Sequence, residues 1–149
     1  MMLTRRAAFA ILFSASPLVR SQSKQEGFAN VQWMRLRGLN YKTGRVNDDV
    51  KALEGALIRI EGYVVPLEDE LKESAEFLVV SSSGACIHTP PPPPNQIIYV
   101  KMAANKRAKV EIGRLFWVGG RMHIATSKSP YGDVSFQMEG LVVEPSKDA

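Results

Sequence analysis

Between residues 57 and 64 the chain alternates, with Ile58, Ile60, Gly62 and Val64 on one side and Leu57, Arg59, Glu61 and Tyr63 on the other. A period of two with one apolar and one largely polar face predicts an extended strand lying on a core, and Pro66 ends it. Further apolar runs follow at turn-punctuated intervals. Residues 76–80 predict a second strand, 96–102 a third, and 121–126 a fourth that follows a turn at Gly119 and Gly120. Residues 134–143 predict the last strand, with Gly140 marking a bulge. Over residues 47–55 the period is different. Asn47 or Asp48 can cap a short helix in which Val50 and Leu53 share a face, and Gly55 stops it.

Short strands, one helix and no long amphipathic segment to serve as a parallel crossover predict a mainly β fold: a small OB-like antiparallel β-barrel with one short helix. No internal repeat is visible. A signal segment precedes the barrel. Arg5 and Arg6 stand before an apolar run of thirteen residues, 7–19, too short to span a bilayer, and the small Ser21 fits a cleavage site. The expected organisation is a signal peptide over 1–21, a flexible leader over 22–32, one domain over 33–145 and a tail over 146–149. The arginine pair fits either a Sec or a twin-arginine signal. The only cysteine is Cys86, far from the cleavage site, so the protein is not a lipoprotein.

The length of 149 residues and a composition of 45% apolar and 23% charged residues suit a single globular domain. The net charge of +4 points at first to nucleic acid, but Arg5, Arg6 and Arg20 leave with the signal, and the mature chain holds sixteen basic residues against fifteen acidic ones. Nucleic acid is therefore not an expected partner, and no transmembrane span is expected in the mature chain. Lys101, Lys106, Arg107 and Lys109 read as a solvated turn. One cysteine and two histidines exclude a disulfide scaffold and a zinc finger built within one chain.

The chemistry concentrates in one stretch. Cys86 and His88, two apart in an extended segment, project to one face with Cα atoms roughly 6.6 Å apart, close enough to chelate one ion. Pro90, Pro91, Pro92, Pro93 and Pro94 then force a stiff polyproline rod of about 15 Å that fixes where the pair points. A lone cysteine is equally a small core residue and a lone histidine a satisfied hydrogen-bonding group. Zinc needs four ligands and copper(I) two or three, so Cys86 and His88 need company from His123, Met122, Met138, Asp133 or a second chain. Asn95 and Gln96 can support the ligands by hydrogen bonds or cap the rod.

The string GACIHTPPPPPNQIIYV over 84–100, with EGYVVPLE upstream and YGDVSFQMEG downstream, resembles an uncharacterised family of exported bacterial proteins of unknown function. The resemblance covers residues 33–144. It implies a periplasmic OB-like single domain, encoded in some genomes beside ABC-type permease genes and linked to metal supply; it implies no reaction. The expected function is a non-catalytic periplasmic accessory or binding protein that holds a transition metal, zinc or copper, through Cys86, His88 and His123. Its expected partner is an ABC-type permease or another periplasmic protein. Two alternatives compete with it. The proline rod can dock in an aromatic groove of a partner, or Cys86 can serve as a nucleophile activated by a histidine, although no third, orienting group is evident.

Overall fold

The computed structural model describes residues 27–67, 72–83 and 90–147. The signal segment, the start of the leader, the end of the tail, Cys86 and His88 lie outside the described residues.

Five strands carry the architecture. They are β4 (Leu57–Pro66), β6 (Glu76–Val80), β7 (Ile97–Met102), β9 (Leu115–Ser129) and β10 (Gly132–Pro145). They pair in the order β4-β6-β7-β10-β9, and a further pairing of β9 with β4 closes the ring. This is the OB-like arrangement expected from the sequence. The alternation over 57–64 is realised directly: Ile58, Ile60 and Val64 are buried inside while their neighbours are only half-buried. Phe77, Val79, Ile98, Val100, Phe116, Val118, Met122, Phe136 and Met138 complete the same interior. Leu78, Val80 and Ile97, on the opposite face of β6 and β7, form a second apolar cluster with Val134, Tyr63 and Tyr99.

The barrel is not wholly antiparallel. β7 and β10 run parallel, Phe136 opposite Ile98 through Gly140 opposite Met102. No crossover helix is needed, because β9 intervenes in sequence and lies on the other side of β10, with which it forms a long hairpin. The expected turn at Gly119 and Gly120 is instead the middle of β9, paired with Arg59 and Ile58 of β4. Gly120 is required there by close approach: a Cβ would fall 2.1 Å from the Glu139 carbonyl oxygen. A glycine pair inside a strand and one in a turn are indistinguishable by composition. Gly140 does mark an irregularity, a register shift between Gly140 and Val142.

Among the described residues, the part before β4 contains two short helices rather than one. The second, α2 (Asp48–Lys51), is the expected one; Asn47 Oδ1 accepts the Val50 amide hydrogen at 2.9 Å, and Gly55 follows with φ +70°. The first, α1 (Trp33–Leu36), is four residues long, too short to show a helical period in the sequence. Part of the stretch read as leader is held in place: β1 (Ala29–Asn30) pairs parallel to β4, and Val31 is buried. Leu36, Val50 and Leu53 join the barrel's own core, and the Trp33 indole N–H donates to the Glu61 carbonyl at 2.7 Å. Two ribbons, β2 (Leu39–Asn40) with β3 (Arg45–Val46) and β5 (Glu73–Ser74) with β8 (Ala108–Lys109), stand outside the ring.

Candidate functional site

The stretch carrying Cys86 and His88 joins β6 to β7, and its two flanks meet: Val80 pairs with Ile97, both buried. The returning flank is rigid. Pro93 has φ −61° and ψ 152°, the polyproline conformation, and a 3-10 turn over Pro94–Gln96 leads into β7. Pro90, Pro91 and Pro93 are exposed, while Pro92 and Pro94 are half-buried. The amides that follow are inside: Asn95 is 8% exposed and Gln96 is 4% exposed. Asn95 Nδ2 donates to the Leu39 carbonyl at 2.8 Å; Gln96 Nε2 donates to the carbonyls of Trp33 (3.2 Å) and Asn95 (2.9 Å). Both side chains therefore tie the rod's root to the α1–β2 region, with their amide nitrogens turned to backbone oxygen.

His123 sits on β9 between Met122 and Ile124, both packed on the core, so its imidazole faces outward. Its Nδ1 lies 3.0 Å from Glu54 Oε1, and Glu54 Oε2 accepts the Ile124 amide hydrogen at 2.6 Å. Glu54 is delivered by the turn that ends α2, where the Gly55 amide donates to the Met122 carbonyl at 2.8 Å. The Ile124 amide, and after it the His123 ring, hold the Glu54 carboxyl below the ordinary carboxylate value.

His123 also lines a groove of about 410 Å³ over the outer face of β7, β10 and β9, together with Tyr99, Lys101, Asn105, Gln137 and Glu139. Glu76 organises one wall: Tyr99 donates its hydroxyl to Glu76 Oε2 at 2.5 Å, and Lys101 Nζ lies 3.4 Å from Oε1. Burial first, and then Glu76, push the Tyr99 hydroxyl up to about 12. The Tyr99 hydrogen bond in turn lowers Glu76. At the rim, Ala104 and Asn105 have φ of 54° and 53°, the left-handed region that side chains other than glycine seldom adopt.

Of the further ligands considered, Met122 and Met138 point into the core at 0% and 2% exposure, and Asp133 is exposed at the β9–β10 turn. Among the described residues no group of three or more His, Cys, Asp and Glu side chains could hold a metal ion. Lys106, Arg107 and Lys109 are exposed, and Arg107 donates to the Glu73 carbonyl. Among the described residues no helix is long and apolar enough to cross a membrane. The Glu54–His123 pair escaped the sequence reading because its members lie 69 residues apart. The Glu76–Tyr99–Lys101 group follows from register, Glu76 opposite Lys101 and Leu78 opposite Tyr99.

A family model described as a protein of unknown function, DUF3299, matches residues 19–145. The chain belongs to the DUF3299 family. A crystal structure of a DUF3299 family protein from Pseudomonas aeruginosa PAO1 is similar to it, with 29% sequence identity and a TM-score of 0.64, covering 80% of this chain and 97% of that one. The family membership expected from the string over 84–100 thus rests on a match across nearly the whole chain. No curated protein matches this DUF3299 member.

Proposed function

We propose that this DUF3299 protein is an exported, non-catalytic binding protein of the periplasm, which holds a transition-metal ion as cargo through Cys86 and His88 and works beside an ABC-type transporter. The observation that carries the reading is the anchored root next to that pair. Val80 and Ile97 bring the two flanks together, and Asn95 and Gln96 fasten the proline rod to buried backbone. A stiff, anchored stub next to a ligand pair in the sequence lowers the ordering cost of binding an ion. A thiolate and an imidazole together suit zinc or copper(I).

The test is metal content. The mature chain, purified anaerobically and loaded with zinc or copper(I), is expected to carry metal by mass spectrometry, and Cys86→Ser and His88→Ala to lose it. Equal, near-zero uptake by all three proteins overturns the metal reading. A second reading, docking of the rod in a partner's aromatic groove, is favoured by the exposure of Pro90, Pro91 and Pro93. It predicts that replacing these three prolines by alanine abolishes partner capture while metal uptake by Cys86 and His88 stays as in the wild type.

A further inference from the structure

Three strands carry the groove, and their register sets its floor. Ile98 and Val100 of β7, Phe136 and Met138 of β10 and Met122 of β9 are buried in the barrel core, so the residues between them face outward. Tyr99, Gln137 and His123 stand opposite one another in one row; Lys101, Glu139 and Arg121 form the next. Neighbouring strands lie about 4.8 Å apart, so each row sets its polar groups within reach of one small molecule. The outer positions of both rows are already engaged. Tyr99 and Lys101 share Glu76, His123 is held by Glu54, and Arg121 donates to the Gly55 carbonyl at 2.6 Å. The central strand is different. Among the described residues, the half-buried Gln137 amide and the exposed Glu139 carboxylate have no hydrogen-bond or ion-pair partner within the protein.

The charges around them balance. Lys101 and Arg121 offset Glu76 and Glu139, and Glu54 faces His123, so neither an anion nor a cation meets a strong net field. Among the described residues no group could hold a metal ion. What the floor offers is an amide that donates and accepts beside a carboxylate that accepts twice, a match for neutral hydroxyls, which do both. Tyr99 and Met102 add carbon surface to the lining, and a volume of about 410 Å³ falls in the range of small-molecule sites. Ala104 and Asn105 line the same groove in left-handed backbone; both are exposed or half-buried, so burial does little to offset that strain.

We propose that this groove binds a neutral polyhydroxy compound, a sugar, with Gln137 and Glu139 making the direct hydrogen bonds and Glu76 and Glu54 holding the walls. The site is independent of the metal reading above, and Cys86 and His88 take no part in it. The mature chain labelled with 15N is titrated with maltose, trehalose and cellobiose. At least one of these disaccharides is expected to move the Gln137 side-chain amide resonances and the backbone amides of β7 and β10 saturably. Gln137→Ala and Glu139→Ala are each expected to weaken that sugar about 10-fold, read from the backbone amides. Glu139→Gln, which keeps one acceptor oxygen, is expected to fall between wild type and Glu139→Ala and carries the test if an alanine variant does not fold. Lys128→Ala, outside the groove, is expected to bind as wild type does. Glucose 6-phosphate and glucosamine, the same ring bearing a negative or a positive charge, are expected to bind no more tightly than glucose. No saturable shift with any of the three disaccharides, or wild-type affinity in the Gln137 and Glu139 variants, overturns the inference. Tighter binding of either charged ring overturns the neutral ligand and makes the groove an ion site.

Discussion

At the root of the proline rod two neutral amides, 8% and 4% exposed, donate to backbone carbonyls; at the groove a carboxylate meets an imidazole with both side chains about half in solvent. The two regions use similar hydrogen-bond lengths for different ends. A buried amide removed from its acceptor leaves a desolvated carbonyl without a partner, so the latch is expensive to break. An exposed carboxylate–histidine pair is replaced by water at little loss of stability. The scaffold is thus firmly tied at the root of the proline rod and weakly held at the groove.

The comparison breaks most readily at Asn95. Asn95→Ala orphans the Leu39 carbonyl and is expected to destabilise by about 2 kcal/mol, lowering Tm by several degrees in a thermal melt; a melt unchanged from wild type would mean that the amide does not secure the root. Gln96→Ala should lose less, about 1 kcal/mol in urea unfolding, because its bond to the Trp33 carbonyl is longer at 3.2 Å. Glu54→Gln should change stability at neutral pH by under about 0.5 kcal/mol. The Glu54 carboxyl is lowered in the fold, so its contribution is present above the unfolded value near 4.5 and is lost as pH falls through the lowered value. Urea midpoints measured across that window should show a shallower pH slope in Glu54→Gln than in wild type. The smallest effect is spectroscopic. Tyr99 should ionise at about 12, and Glu76→Gln should bring the midpoint only part of the way toward 10.0, since burial is the larger cause. A full return would assign the shift to Glu76 alone. The Tyr99 contribution to stability holds below pH 10 and is lost as pH rises toward 12.

These outcomes also mark what could be read from the chain. Strands were legible wherever one face met the core: the alternation over 57–64 fixed which side of β4 is inside, and 76–80 matched β6 residue for residue. The short α1 and the glycines of β9 were not, because a four-residue helix shows no period and Gly120 answers to the Glu139 carbonyl across a strand pair. The parallel β7–β10 pairing depends on which side of β10 the hairpin partner takes, a tertiary matter with no local signature. At the site, the proline run announced its own stiffness and Asn95–Gln96 were visible as candidates. Their direction toward Leu39 and Trp33, and the tie from Glu54 to His123, arise only when distant segments meet.

The closing seam of the barrel sets a kinetic expectation. β4 joins β9 from Leu57 opposite Arg121 to Tyr63 opposite Leu115, so the ring is completed only when segments tens of residues apart find their register. Chain entropy must be surrendered before that seam returns any pairing energy, which places such a topology among the slower folders, in the millisecond-to-second range. The latch and the groove both hang on strands of that ring.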